Sequence, residues 1–362
     1  MAFKTFHSET NIESLPLRLL AGVTFICLLF FSGLLKAQQC YQLFDIETKH
    51  PVKVGAFHPV TPAASRQSGW DRKNLRVVTF NAEDFTLYEK PESSKKRAEP
   101  KARVLVRAAA RTLFEQKPDI IVLQEIGSEY SLQRLAELSG DEKYEAILIQ
   151  GHDVPKSYQE GPARHIGFLI KKSLMLEHTI ATNLKIPYPG ADTKRKFTFD
   201  RGLPVISFFE PNNKVPLFSV IGVHNHSMGE DGKFSELKFI EEKSMVAVIQ
   251  KLQDAYGTNT PIILAGDLNT EVNGNHRLPR LKAKMVESFD QVNVEATSPK
   301  RVSQIIFTPG KISTLARQID GVLVSLGLAG RVTLSQTLQF SIDGVSDHRP
   351  ILVDINFDGF IP

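Results

Sequence analysis

Cysteine is almost absent from this 362-residue chain, with only Cys27 and Cys40 present. Cys27 lies inside the uncharged apolar run from Leu19 to Leu35, which reads as a removable leader, so a mature chain keeps Cys40 alone. That excludes an internal disulfide and dithiol redox chemistry, and leaves stability to a hydrophobic core, which a chain of this length can build. A large excess of one charge is also missing. The formal net charge of +4 is too mild to announce a polyanionic partner, which normally shows as a strongly basic face. No low-complexity tract or repeat of roughly 20–50 residues stands out, which excludes solenoid and propeller arrays.

The leader has a polar start, Arg18 just before the apolar run, and Lys36-Ala37-Gln38 after it. This is the form of a secretory signal peptide cut after Ala37, so residues 1–37 are expected to direct export to a periplasmic or extracellular location. The alternative is an uncleaved membrane anchor formed by residues 19–35, since the run just reaches the length that spans a bilayer. Membrane association is expected only in that case. Residues 38–72 carry Pro51, Pro59, Pro62, Gly55 and Gly69 with little periodicity and read as a lead-in. A single globular domain is expected over residues 73–358, acting as a monomer.

Within that domain, short runs rich in Val, Ile and Leu read as buried strands. They are expected at Leu75–Phe80, Asp119–Leu123, Tyr144–Gln150, His165–Ile170, Leu203–Phe209, Leu217–Val223, Ile262–Ala265, Ile319–Val324, Val332–Thr337 and Ile351–Ile355. Helical spacing marks a stretch placing Leu105, Ala108, Ala109, Thr112 and Leu113 on one face, a second helix at Ser131–Leu138, and a third at Phe234–Ala255. Many strands, few helices, and hairpins alternating with crossovers point to an α+β fold: a four-layer α/β/β/α sandwich of two mixed β-sheets.

Polar residues stand at the ends of these runs. Asn81 and Glu83 follow LRVVTF, Glu125 follows IIVLQ, His224 follows FSVIGV, and Asp267 and Asn269 follow IILAG. Asp320 opens DGVLVS, and Asp347-His348 precede the last run. Carboxylates, amides and imidazoles without a thiolate suit a hard, oxygen-preferring cation such as Mg2+ or Mn2+ rather than zinc. A His near such carboxylates supplies the one side chain that titrates near neutral pH.

The ordered words TFNAED, VLQE, GVHNHS, AGDLN, QIDGVLVS and SDHRP resemble the endonuclease/exonuclease/phosphatase superfamily, the deoxyribonuclease I-like proteins. Each word alone is weak; six in the family's order, each beside a strand-like run, are specific, and they cover about residues 75–357. The resemblance implies metal-assisted phosphoester hydrolysis at one edge of the sandwich. It makes Glu125 the principal metal ligand, with Asp347 and Glu83 as further metal-side carboxylates. It gives catalysis to His348, with Asp320 fixing its tautomer, to Asp267, which orients or deprotonates the attacking water, and to Asn269 and His224. His224 is implied to stabilise developing charge or to protonate the leaving group. Arg201, Asn81 and Asn269 become phosphate contacts. The run Lys194-Arg195-Lys196 just before Arg201 reads as a solvated face, with tracking of a nucleic-acid backbone as the alternative.

The pattern departs from the family in two places. His226 stands where related bacterial sequences often carry Lys, and near Arg164-His165 there is no Glu to support His224, which leaves open what orients that ring. The resulting expectation is an exported, Mg2+- or Mn2+-dependent phosphodiesterase acting as an endonuclease on nucleic acid. The alternative is a phosphatase or lipid phosphodiesterase acting on inositol phosphates or sphingomyelin-like substrates, because fold does not choose among them.

Overall fold

The computed structural model describes residues 73–87, 101–149, 164–181, 185–187, 196–198, 201–227, 235–272, 278–307 and 314–360. The leader and lead-in, both cysteines, and Lys194 and Arg195 of the basic run lie outside the described residues. In chain order the strands are β1 (Asn74–Phe85), β2 (Ile120–Ile126), β3 (Tyr144–Ile149), β4 (His165–Lys171), β5 (Glu177–Ala181), β6 (Lys185–Pro187), β7 (Lys196–Thr198), β8 (Val205–Phe209), β9 (Phe218–His224), β10 (Ile262–Asp267), β11 (Met285–Glu287), β12 (Gln304–Phe307), β13 (Thr314–Arg317), β14 (Asp320–Ser325), β15 (Val332–Thr337) and β16 (Ile351–Asn356).

Twelve of these form two six-stranded sheets, ordered β15-β16-β1-β2-β4-β3 and β11-β14-β10-β9-β8-β5, and β6-β7 and β12-β13 are separate hairpins. Both sheets are mixed. β1 runs parallel to β2 and β9 parallel to β10, while their other neighbours are antiparallel. A parallel pair needs a crossover, and helices Arg103–Phe114 and Ser235–Tyr256 lie on the two crossovers.

Strand alternation sorts the apolar side chains into layers. Val77, Ile120, Val122, Phe168 and Val353 of the first sheet share one core with Ile206, Phe218, Val220, Ile263 and Val322 of the second, so the sheets pack face to face. The alternate residues Val78, Phe80, Ile121, Leu123 and Leu352 form a second core with Ala109, Leu113, Leu132 and Leu135 from helices Arg103–Phe114 and Glu129–Glu137. Met245, Val248, Ile249 and Leu252 of the long helix are buried, as their helical spacing predicts. In the first helix the buried face includes Val106 and Ala110, and Leu105 is only partly covered. The strand expected from Leu203 starts at Val205, because Pro204 has no N–H to add to a ladder.

The topology places the site. β1, β2, β9 and β10 all end at one edge, and their antiparallel neighbours β14 and β16 begin there. Asp267, the last residue of β10, is paired with His224 on one side and Asp320 on the other. Gly266 has φ 152°, and a Cβ there would stand 1.9 Å from the Val223 carbonyl oxygen, so glycine is needed for β9 and β10 to converge behind Asp267.

Candidate active site

Local backbone distortions turn the strand-end side chains toward a common point. The β1–β2 register shifts between Asn81 and Phe85, and the β2–β4 register shifts between Leu123 and Ile126. Such bulges re-aim side chains next to functional sites. Glu83, Asp84, Glu125 and Asn269 all have positive φ, near 50–60°. For residues with a Cβ this conformation costs about 1–3 kcal/mol each and persists only when the surroundings enforce it. Here they do: the Asp84 N–H donates to Glu125 Oε2 at 3.0 Å and the Asn269 N–H to Asp267 Oδ1 at 2.7 Å.

At the centre lie Asp267, Asp320 and His348, all buried, each with a ligand-type atom within 4.8 Å of the others. His348 Nδ1 and Asp320 Oδ2 are 2.7 Å apart. Burial alone would lower the His348 pKa, but the charge and hydrogen bond of Asp320, helped by Asp267 and Asp347, raise it to about 10. Asp267 behaves oppositely. Burial and the nearby Asp320 charge push it up to about 7, against the lowering effect of His348 and of donors from Asn269 and Asn81. Those donors are Asn81 Nδ2 at 3.0 Å and Asn269 Nδ2 at 2.9 Å, both on Oδ2. A carboxylate poised near neutrality beside an imidazolium is a base next to an acid, with their pKa values driven apart by environment.

His224 is almost wholly buried, and that burial, with Arg201 next in effect, holds its pKa well below the ordinary value. The ring is therefore neutral. Arg201 Nη1 stands 2.5 Å from His224 Nε2 and also donates to the Asn225 carbonyl at 2.9 Å. A guanidinium only donates, so Nε2 accepts and the proton sits on Nδ1, which meets no partner among the described residues. A neutral imidazole accepting from arginine is a poor proton donor to a leaving group. Arg201 itself is buried, with Nη1 directed inward at His224 and Asn225.

The opposite side is acidic. Glu125 Oε1 lies 3.4 Å from Asn81 Nδ2 and 3.4 Å from His224 Nε2. Its Oε2 is 3.7 Å from Arg164 Nε, which also donates to Asp84 at 3.1 Å. Burial raises the Glu125 pKa, Arg164 opposes this, and Asp84 adds to it. Ser346 Oγ donates to the Asn81 carbonyl at 2.9 Å and accepts the His348 N–H at 3.0 Å, pinning the Asp347-His348 loop to the end of β1. Glu83 is about half exposed, and its Oε2 accepts the Asp347 N–H at 3.2 Å.

These oxygens fit a hard divalent cation. Glu125 offers a buried carboxylate at the end of β2, and Asp347, at 37% side-chain exposure, opens toward solvent where an ion would keep part of its water shell. Among the described residues, the Asp267–Asp320–His348 group is the one that brings three ligand-type atoms within 4.8 Å of one another. Its 2.7 Å Nδ1–Oδ2 hydrogen bond, however, is better suited to holding a proton than a metal.

Of the residues anticipated from sequence, the structure joins Asn81, Glu125, His224, Asp267, Asn269, Asp320 and His348 in one connected network. Glu83 enters it through Asp347 and Arg201 through His224. Four participants were not anticipated. Arg164 and Lys101 lie near the carboxylates, and the Asn225 carbonyl accepts from both Arg201 and Asn269. Gln304 Nε2 lies 3.1 Å from Asp347 Oδ2 and 3.3 Å from His348 Nε2. His226, the departure noted above, pairs through Nδ1 with buried Glu241 at 2.7 Å, and Lys238 is 3.5 Å from the same carboxylate.

No protein-family model and no curated protein sequence matches the chain. Solved structures do. TDP2 from D. rerio, complexed with single strand DNA product, is 18% identical, with 78% of this chain and 99% of that chain covered at TM-score 0.51. A functionally unknown conserved protein from Enterococcus faecalis V583 is 18% identical, covering 77% and 98%, also at TM-score 0.51. The human Nocturnin catalytic domain, with bound sulfate anion, is 13% identical, covering 78% and 93% at TM-score 0.50. Together with the two mixed sheets, these likenesses give the chain the deoxyribonuclease I-like sandwich fold.

Proposed function

We propose that this protein is a divalent-metal-dependent phosphodiesterase that hydrolyses nucleic-acid phosphodiester bonds internally, using Mg2+ or Mn2+. One observation carries the reading: buried Asp267, held by the amides of Asn81 and Asn269, stands beside buried His348, itself paired with Asp320 at 2.7 Å, at an edge that also gathers hard oxygen donors. Asp267, held by Asn81 and Asn269, takes a proton from the attacking water. His348, oriented by Asp320, hydrogen-bonds from Nε2 to a phosphoryl oxygen as negative charge builds there, Asn269 and Asn81 bring amide groups to the same point, and the P–O bond to the leaving sugar oxygen breaks in line with the attacking water, that oxygen taking its proton from solvent. His224 stays neutral and carries the electrostatic influence of Arg201 toward Glu125. Glu125 with Asp347 would hold a divalent ion, which would supply charge neutralisation at the phosphate. The neighbours' ligands, single strand DNA product for D. rerio TDP2 and a sulfate anion for Nocturnin, support an anionic, nucleic-acid substrate. The leader-like residues 1–37 support export.

The test is a panel of plasmid DNA, structured RNA, inositol polyphosphates and sphingomyelin, each with Mg2+, Mn2+ or chelator. Nicking of plasmid or internal RNA cleavage, lost on chelation and restored by metal, is expected. Release of inorganic phosphate or choline phosphate with both nucleic acids intact would move the assignment to the phosphatase or lipid class. Full activity in excess chelator, with no copurified metal, would remove the ion from the mechanism.

A further inference from the structure

Lys101 belongs to none of the sequence words, yet its ammonium is buried among the carboxylates on the acidic side. Its side chain is 10% exposed, and Nζ donates to the Ala82 carbonyl at 2.9 Å and to the Val345 carbonyl. Ala82 lies between Asn81 and Glu83, and Val345 two residues before Asp347, so the lysine ties the end of β1 to the loop that carries Asp347. Glu83 Oε2 is 4.0 Å from Nζ. Asp84, Glu125 and Asp347 also act on it electrostatically.

The charge count is informative. Glu83, Asp84, Glu125 and Asp347 bring four negative charges. Lys101, and Arg164 against Asp84 and Glu125, return two fixed positive ones. The remaining deficit of two is what one divalent ion supplies. A second ion at Glu83 and Asp347 would leave excess positive charge there and would stand close to the Lys101 ammonium. We propose that Lys101 is a built-in cation standing in place of a second metal, so that the site binds a single divalent ion and Glu83 serves the lysine and the Asp347 loop rather than a metal. This rests on the metal-dependent reading above and makes it specific.

The experiment counts tightly bound Mn2+ by electron paramagnetic resonance and equilibrium dialysis, independently of activity. The full chain and Lys101→Arg are expected to bind one ion, lost in Glu125→Gln. Lys101→Met, which keeps length but not charge, is expected to bind two. Two tight ions on the unaltered chain, both lost with substitutions at Glu125 and Glu83, would overturn the proposal while leaving metal dependence intact. One ion in Lys101→Met with unchanged affinity would also overturn it. No tight Mn2+ on any form would defeat the metal-dependent reading itself, and this inference with it. Should Lys101→Met not fold, Lys101→Gln and the count on the unaltered chain decide.

Discussion

His348 carries the most exposed argument at the residue scale. If its imidazolium stabilises the transition state, His348→Ala should lower kcat by roughly two to four orders of magnitude with a much smaller change in substrate binding. Asp320→Asn acts through the same ring, so the double variant should be little worse than His348→Ala alone; losses that simply multiply would break the dyad. The pH dependence has a definite sign. Asp267 must be deprotonated and His348 protonated, so kcat/KM should rise through about pH 7 and fall toward about pH 10. Since the Asp320 charge raises both pKa values, Asp320→Asn should move both limbs to lower pH, the alkaline limb further because it also loses a hydrogen bond. An unmoved alkaline limb would separate His348 from that limb. Gln304 belongs to the same logic: Gln304→Met removes the amide that donates to Asp347 Oδ2 and stands 3.3 Å from His348 Nε2, and should reduce kcat while leaving the melting temperature nearly unchanged.

At the scale of elements, the parallel pairs β1-β2 and β9-β10 explain why so much of the site was legible. A buried strand announces itself as a Val/Ile/Leu run, and the polar residue ending it marks the sheet edge, so Asn81, Glu125, His224 and Asp267 could be placed together from local words alone. What was not legible lacks local pattern. Lys101 reaches Val345, and Arg164 reaches Asp84, across long stretches of chain, and neither lies in a run with a period. Gln304 sits on the four-residue hairpin strand β12, too short to stand out, and meets His348 through an isolated bridge. The bulges that turn Glu125 inward are equally silent, because any sequence with enough support can be forced to positive φ. Gly266 offers the element-level test. Gly266→Ala must move a Cβ away from the Val223 carbonyl, and should cost at least about 2 kcal/mol in chemical denaturation. Activity should fall too, since Asp267 is the next residue. A stability change within error would mean that β9 and β10 do not converge as described.

For the whole molecule, every strand of both sheets and every side chain in the proposed chemistry comes from residues 74–356. Asp267 and Asp320 arise in the second sheet, Asn81 and Glu125 in the first, and the Asp347-His348 loop leads into β16 of the first sheet while its His348 bonds to Asp320 of the second. The site therefore exists only when the two sheets are packed, which couples activity to global folding rather than to any one segment. Residues 1–37 contribute nothing to that accounting. A chain beginning at Gln38 is accordingly expected to be monodisperse, to show the same circular dichroism and unfolding midpoint as the longer form, and to keep its full rate on whichever phosphodiester the panel identifies. If the shortened chain aggregates or loses activity while the longer one behaves, residues 1–37 are part of the folded enzyme and their reading as an export signal fails.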